Sequence, residues 1–143
     1  DTATPSGGAA AAGALLRLAA LTGEGRYRDL AETALRTVQP LAATYPTAFA
    51  RWLCALDFAL AAPREVAIVG DPTSAEVRAL LEVLWGAYRP NQVVALARPG
   101  ETPVVPLLEG RTALDGRATA FVCERFACRL PVTEPADLAA QLA

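Results

Sequence analysis

The hydrophobic positions change their period about halfway along the chain. Up to about residue 62 they recur every three or four residues, the spacing of helices with one buried face. Asp1–Gly8 is a polar lead-in in which Pro5 stops any earlier helix and Ser6 is a good N-cap. From Ala9 to Leu21, Leu15, Leu18 and Leu21 fall at three-residue steps with Leu16 beside them, and Thr22-Gly23-Glu24-Gly25 is a helix stop and turn. Tyr27–Val38 places Tyr27, Leu30, Ala31, Ala34, Leu35 and Val38 on one face, and Pro40 is expected to end or interrupt that helix. Tyr45-Pro46 opens a third helix over Thr47–Ala61, with a wide stripe of Phe49, Trp52, Leu53, Leu56, Ala59 and Leu60, closed by Pro63.

Beyond Pro63 the period shortens. Glu65–Val69 reads EVAIV, a β-branched strand ending at Gly70-Asp71-Pro72. Thr73 or Ser74 caps a helix over Ala75–Trp85, with Val77, Leu80, Leu81, Leu84 and Trp85 on one side. Pro90 and Asn91 break it, Gln92–Ala97 is a second strand, and Pro99-Gly100 is a turn. Val104–Leu108 is either a short extended piece or part of a loop running to Gly116. Ala118–Cys123 is a third strand, and Pro135–Leu142 a final helix with proline in its first turn and Asp137 near its positive end. The expected fold class is therefore mixed α/β. Antiparallel helices over 1–63 precede a small, mainly parallel three-stranded sheet with flanking helices over 64–143. A strand–helix–strand unit with a helix of this length favours a parallel crossover. Gly70-Asp71-Pro72 would lie at the carboxyl end of the first strand, where open α/β sheets often bind ligands. No glycine fingerprint follows it, so a turn with a helix cap is the simpler reading.

Composition narrows the chemistry. The chain of 143 residues contains no His and no Met, and all 13 of its basic residues are Arg. Without His there is no Ser-His-Asp triad and no imidazole metal ligand, and without Lys no Schiff base and no complete P-loop. The net charge is −2, and the arginines are spread along the chain, so nucleic-acid binding is not expected. The longest apolar candidate, Ala9–Leu21, is interrupted by Arg17, too short to span a bilayer, and lacks a signal-peptide pattern. A cytoplasmic protein with no membrane partner is expected. Because the first residue is not Met, the chain is expected to be a cut piece of a longer one.

Three cysteines, Cys54, Cys123 and Cys128, fit a reducing compartment better than a disulfide scaffold. Cys123 and Cys128 are the sharpest candidates. Fully extended, their Cα atoms would stand about 16 Å apart. A disulfide needs about 4.4–6.8 Å, so pairing requires a tight turn between them. Three readings stand together: a thiol pair for redox or soft-metal chemistry, a buried strand cysteine with a loop neighbour, and a structural disulfide. Arg125 and Arg129 would lower the pKa of an exposed thiol. A metal site would have only Cys54 as a third sulfur, so neither metal nor cofactor is expected. Ser6 and Gly7, with Gly8, begin a helix and present backbone N–H groups that suit either an anion or sugar hydroxyl, or simple capping. Glu24, Asp29, Glu32, Asp57 and Asp71 invite a glycosidase pair, which needs two carboxyls facing one cleft. Glu32 and Arg36, however, have the spacing of a surface ion pair. Asp57 sits between Leu56 and Phe58, where it pairs with Arg51 or Arg64 or faces a pocket. Trp52 and Tyr45 suit core packing or stacking on a sugar.

Two stretches carry a family resemblance. One is Pro5-Ser6-Gly7-Gly8, then Leu15-Leu16-Arg17-Leu18, Leu21-Thr22-Gly23-Glu24 and Tyr27-Arg28-Asp29-Leu30-Ala31-Glu32. The other is Ala118-Thr119-Ala120-Phe121-Val122-Cys123-Glu124-Arg125-Phe126-Ala127-Cys128, then Pro131-Val132-Thr133 and Pro135. Around the Glu65–Gly70 strand they resemble the C-terminal end of the YyaL-type thioredoxin-domain-containing proteins, a family of poorly defined activity with a spermatogenesis-associated relative in human. The resemblance implies a longer parent, with a thioredoxin-like domain followed by an α/α toroid similar to sugar epimerases and six-hairpin glycosidases. Residues 1–63 would be the end of that toroid, with Ser6, Gly7 and Asp57 as candidate pocket residues. The α/β unit would be a C-terminal appendage. The implied partners are the rest of the parent chain and, through exposed helix faces, a second copy. Alternatively, the chain is a non-catalytic module that caps the toroid or forms an oligomer interface. At two positions this chain departs from the family pattern: Gly8 replaces an Asn whose amide could hydrogen-bond in the toroid centre, and Arg125 replaces an Asn between the cysteines.

Overall fold

A computed structural model describes residues 1, 4–125 and 127–143. The chain divides into two compact units, Asp1–Ala62 and Pro63–Ala143.

The first unit contains helices α1 (Gly7–Thr22), α2 (Gly25–Thr44) and α3 (Ala50–Leu60), the last preceded by a tight turn over Pro46–Phe49. Ser6 caps α1, its hydroxyl accepting from Ala9 N at 3.2 Å, and Gly23 closes the helix at φ +73°, a left-handed cap that glycine adopts without steric cost. The buried face of α1 is Ala9, Ala12, Leu16 and Ala20, rather than the Leu15, Leu18 and Leu21 steps. A strict three-residue step drifts around a helix of 3.6 residues per turn, whereas Ala9, Ala12, Leu16 and Ala20 keep to one side. Their small side chains leave room for the large rings of α3, Trp52 and Phe58. Gly8 shows how close that approach is, because a Cβ there would stand 2.9 Å from the Trp52 ring. Pro40 does not end α2, which continues to Thr44. Proline removes one internal hydrogen bond, and here its own carbonyl is held at 3.0 Å by the Thr44 hydroxyl.

The second unit has strands β1 (Arg64–Val69), β2 (Gln92–Ala97), β3 (Thr119–Glu124) and β4 (Ala127–Cys128), with helices α4 (Ala75–Trp85) and α5 (Pro135–Leu142). The sheet has four strands rather than three, in the order β2-β1-β3-β4. It is also not mainly parallel: β1 pairs with β2 in parallel, but β3 is antiparallel to both β1 and β4. The reason lies in the connections. α4 carries the chain back for a parallel return, while the β2–β3 connection holds only a short helical turn over Pro106–Leu108 and delivers β3 running the other way.

The central strand β1 is covered on both faces. Val66 and Ile68 join Val77, Leu80, Leu84, Ala120, Val122, Leu138 and Leu142 in a core beneath α4 and α5. On the other face lie Glu65, Ala67 and Val69, where the Pro106–Leu108 turn packs on β1 with Leu107 and Leu108 buried. Gly70 ends β1 with no space beside it, since a Cβ would stand 2.6 Å from Val77 Cγ2 and 2.9 Å from Ala118 Cβ. Gly70→Ala should therefore destabilise the second unit by about 1–3 kcal/mol in urea unfolding, the range for overpacking a tight site. An unchanged midpoint would show that α4 and β3 yield freely there.

Candidate functional site

The two sharpest cysteines meet. β3 and β4 form a hairpin in which Cys123 stands directly opposite Cys128, and the two are joined in a disulfide with Cα atoms 3.9 Å apart. Of the connecting pair, Phe126 lies outside the described residues. Arg125 takes φ +49°, the left-handed region, where Asn is far better tolerated than Arg. Cys123 is only 1% exposed on the sheet, whereas Cys128 is exposed. In this state the pair takes the disulfide reading, with Cys123 buried on its strand as the second reading had it, and the tight hairpin supplies the turn that pairing requires. Cys54 is free and exposed on α3.

Arg111 lies across the sulfurs. Its Nη2 donates to Cys128 Sγ at 2.9 Å and to Cys123 Sγ at 3.3 Å, and its guanidinium carbon sits 5.8 Å from the centre of the Phe121 ring. Glu65, 3% exposed, is the register partner of Cys123 on β1, so both side chains leave the sheet on the same face. Burial pushes the Arg111 guanidinium below its ordinary pKa, and the Glu65 carboxylate opposes that shift. Among the described residues, Arg111 Nε is buried without a hydrogen-bond partner. An open depression of about 250 Å³, lined by Val122, Cys123, Glu124, Ala127 and Arg129, adjoins the bridge. The downstream strand is tied down as well: Arg129 Nη1 donates to Gln141 O at 2.9 Å, and Gln141 Nε2 to Leu130 O at 2.8 Å.

The sequence pattern singles out neither Arg111 nor Glu65. Thirteen scattered arginines make any one of them inconspicuous. The only hint at Glu65 was a carboxylate at the head of an otherwise apolar strand.

The other candidates are placed as follows. Ser6 N donates to Asp1 Oδ1 at 2.8 Å while Asp1 Oδ2 accepts from Arg51 N at 2.9 Å, so Ser6 lies beside the start of α3. Gly7 has open space around it. Asp57 is on the exposed face of α3, six residues beyond Arg51 and so about 9 Å further along the axis. Glu32 bridges Arg36 at 2.8 Å and Arg28 at 3.6 Å on the surface. Asp71 folds onto its own turn, accepting from Thr73 N at 2.9 Å, and these Thr73 hydrogen bonds hold its carboxyl below the usual value. Ser74, rather than Thr73, caps α4, accepting from Val77 N at 3.1 Å. Among the described residues no group of three or more Cys, Asp or Glu side chains could hold a metal ion, and no helix is long and apolar enough to cross a membrane.

The class so defined is a mixed α/β unit ending in a disulfide-closed Cys-x4-Cys hairpin, in a chain that begins with a compact three-helix unit. Over 142 residues, 96% of its length, the chain is 30% identical to spermatogenesis-associated protein 20 of Rattus norvegicus and to that of Homo sapiens. It is 29% identical to the Mus musculus protein over the same extent. The chain is homologous to these proteins and spans 18% of their length. No family model and no solved structure matches it.

Arg125→Asn should raise stability by roughly 0.5–1 kcal/mol, because the left-handed cost falls while the hairpin is unchanged. Urea unfolding of the oxidised chain measures this, and a loss of stability would mean that the Arg125 side chain makes contacts worth more than that cost.

Proposed function

We propose that the chain is the C-terminal segment of a longer, cytoplasmic thioredoxin-domain-containing protein. In this reading its helices complete an α/α toroid similar to that of sugar epimerases, which binds or isomerises a carbohydrate. The α/β unit is an appendage to that toroid, and the segment alone is not a complete enzyme. The observation that carries the proposal is the unused half of each helical stripe. Leu30 on α2 is 59% exposed and Leu60 on α3 is 79% exposed, although both belong to the apolar faces of their helices. A groove of about 210 Å³ between these helices is lined by Leu35, Leu56, Ala59 and Leu60, with Glu32, Arg36 and Gln39 along it. Helices of a toroid are flanked on both sides, so a neighbouring helix from the rest of the parent chain would fill this groove. The 18% span of the homologues leaves ample chain to supply it.

A second reading, an interaction module, draws on the far end of α4. Trp85 is 64% and Tyr88 91% exposed, beside an open depression of about 370 Å³. Such aromatics are typical anchors of protein interfaces.

Sedimentation and dye binding test the toroid reading. The 143-residue chain should self-associate with rising concentration and bind an apolar dye. Leu60→Glu should abolish both while changing stability by no more than about 0.5 kcal/mol. A strict monomer that binds no dye would contradict the reading.

A further inference from the structure

We propose that Cys123–Cys128 is a redox-exchangeable bridge, opened by an external dithiol at Cys128, with Arg111 holding the departing Cys123 sulfur. This goes beyond the toroid reading and does not depend on it.

The two sulfurs differ in access. Cys128 is exposed on the edge strand β4, whereas Cys123 is 1% exposed. A thiolate from solvent or from a partner's dithiol therefore reaches Cys128 Sγ first. As it attacks, the Sγ–Sγ bond breaks and its electron pair goes to Cys123 Sγ, which leaves as a thiolate. That negative charge develops 3.3 Å from Arg111 Nη2, a donor already aligned on it. The second thiol of the dithiol then loses its proton to water and attacks the mixed disulfide. Cys128 is released and takes up a proton. Two electrons have passed to the chain, and the dithiol has become a disulfide.

Arg111 is suited to this task. A guanidinium stays charged when half-buried, and the nearby Glu65 charge favours that form. With the bridge closed, Arg111 Nη2 has two neutral sulfur acceptors, Nη1 donates to Glu109 O at 3.2 Å, and Nε is orphaned. Reduction supplies the anion that the donor lacks, so the reduced form gains more from Arg111 than the oxidised form does. A purely structural bridge would be better served by an apolar neighbour, since a cation there favours opening.

The test follows reduction of the folded chain in a Cys54→Ser background, with excess dithiothreitol and no denaturant. Trypsin cuts after Arg125, so the oxidised pair appears as linked peptides 118–125 and 126–129 and the reduced pair as two separate ones. The bridge should open while circular dichroism stays constant. Arg111→Gln should slow opening about threefold, the effect of one pKa unit on the thiol at a Brønsted coefficient of about 0.5, and Arg111→Lys should restore part of the rate. Ultraviolet absorbance of the reduced chain should show a thiolate forming below the ordinary thiol value of about 8.5. The proposal is overturned if the bridge opens only as the chain unfolds, or if Arg111→Gln is reduced as fast as its parent. Should the glutamine variant fail to fold, the pH titration of the reduced parent decides alone, and thiolate formation only at or above the ordinary value overturns the proposal.

Discussion

Everything in the α/β unit depends on β1 being buried from both sides. Val66 and Ile68 face the helices, and each contributes about 1.5–3 kcal/mol by leaving water. The opposite face is roofed not by helices but by the β2–β3 connection, with Leu107 and Leu108 pressed onto the sheet. A carboxyl buried on that face costs free energy unless it is hydrogen-bonded or meets an opposite charge. Glu65 lies on that face near enough for its charge to act on Arg111, which the same connection carries. The register that sets Glu65 opposite Cys123 then delivers the guanidinium to the sulfurs.

The regular elements were largely legible in the sequence, for a physical reason. α4 over Ala75–Trp85, β2 over Gln92–Ala97 and α5 over Pro135–Leu142 are bounded by caps, prolines and period changes, all of them local signals. Strand direction was not legible, because it depends on where a helix-poor connection sends the chain, and nothing local in 98–118 states that. The inward face of α1 was misjudged because bulky leucines attract attention while small alanines do the packing. Whether Pro40 ends α2 or merely interrupts it is not legible locally, because a helix can lose one hydrogen bond when the rest of its turn is supported.

The candidate site was half legible. Spacing singled out Cys123 and Cys128, but not which of three readings held, since the decisive turn is a matter of backbone geometry at Arg125. Arg111 lies twelve residues before Cys123 in an irregular stretch, and only the folded sheet brings it there. The two units also differ in how complete they are as packed objects. The α/β unit has a closed core beneath its helices, while the three-helix unit leaves leucines of its own stripes in water. A chain spanning 18% of its homologues fits that contrast.

The central claim is that Glu65 and Arg111 act as one device, and a double-mutant cycle tests it most directly. Urea unfolding of the oxidised parent, Glu65→Gln, Arg111→Gln and the double variant would give the coupling. If the pair holds the loop on the sheet, the double variant loses at least about 1 kcal/mol less than the sum of the two single losses. If the two losses simply add, to within about 0.5 kcal/mol, the residues are independent, and Arg111 reaches the disulfide for reasons other than the buried carboxylate.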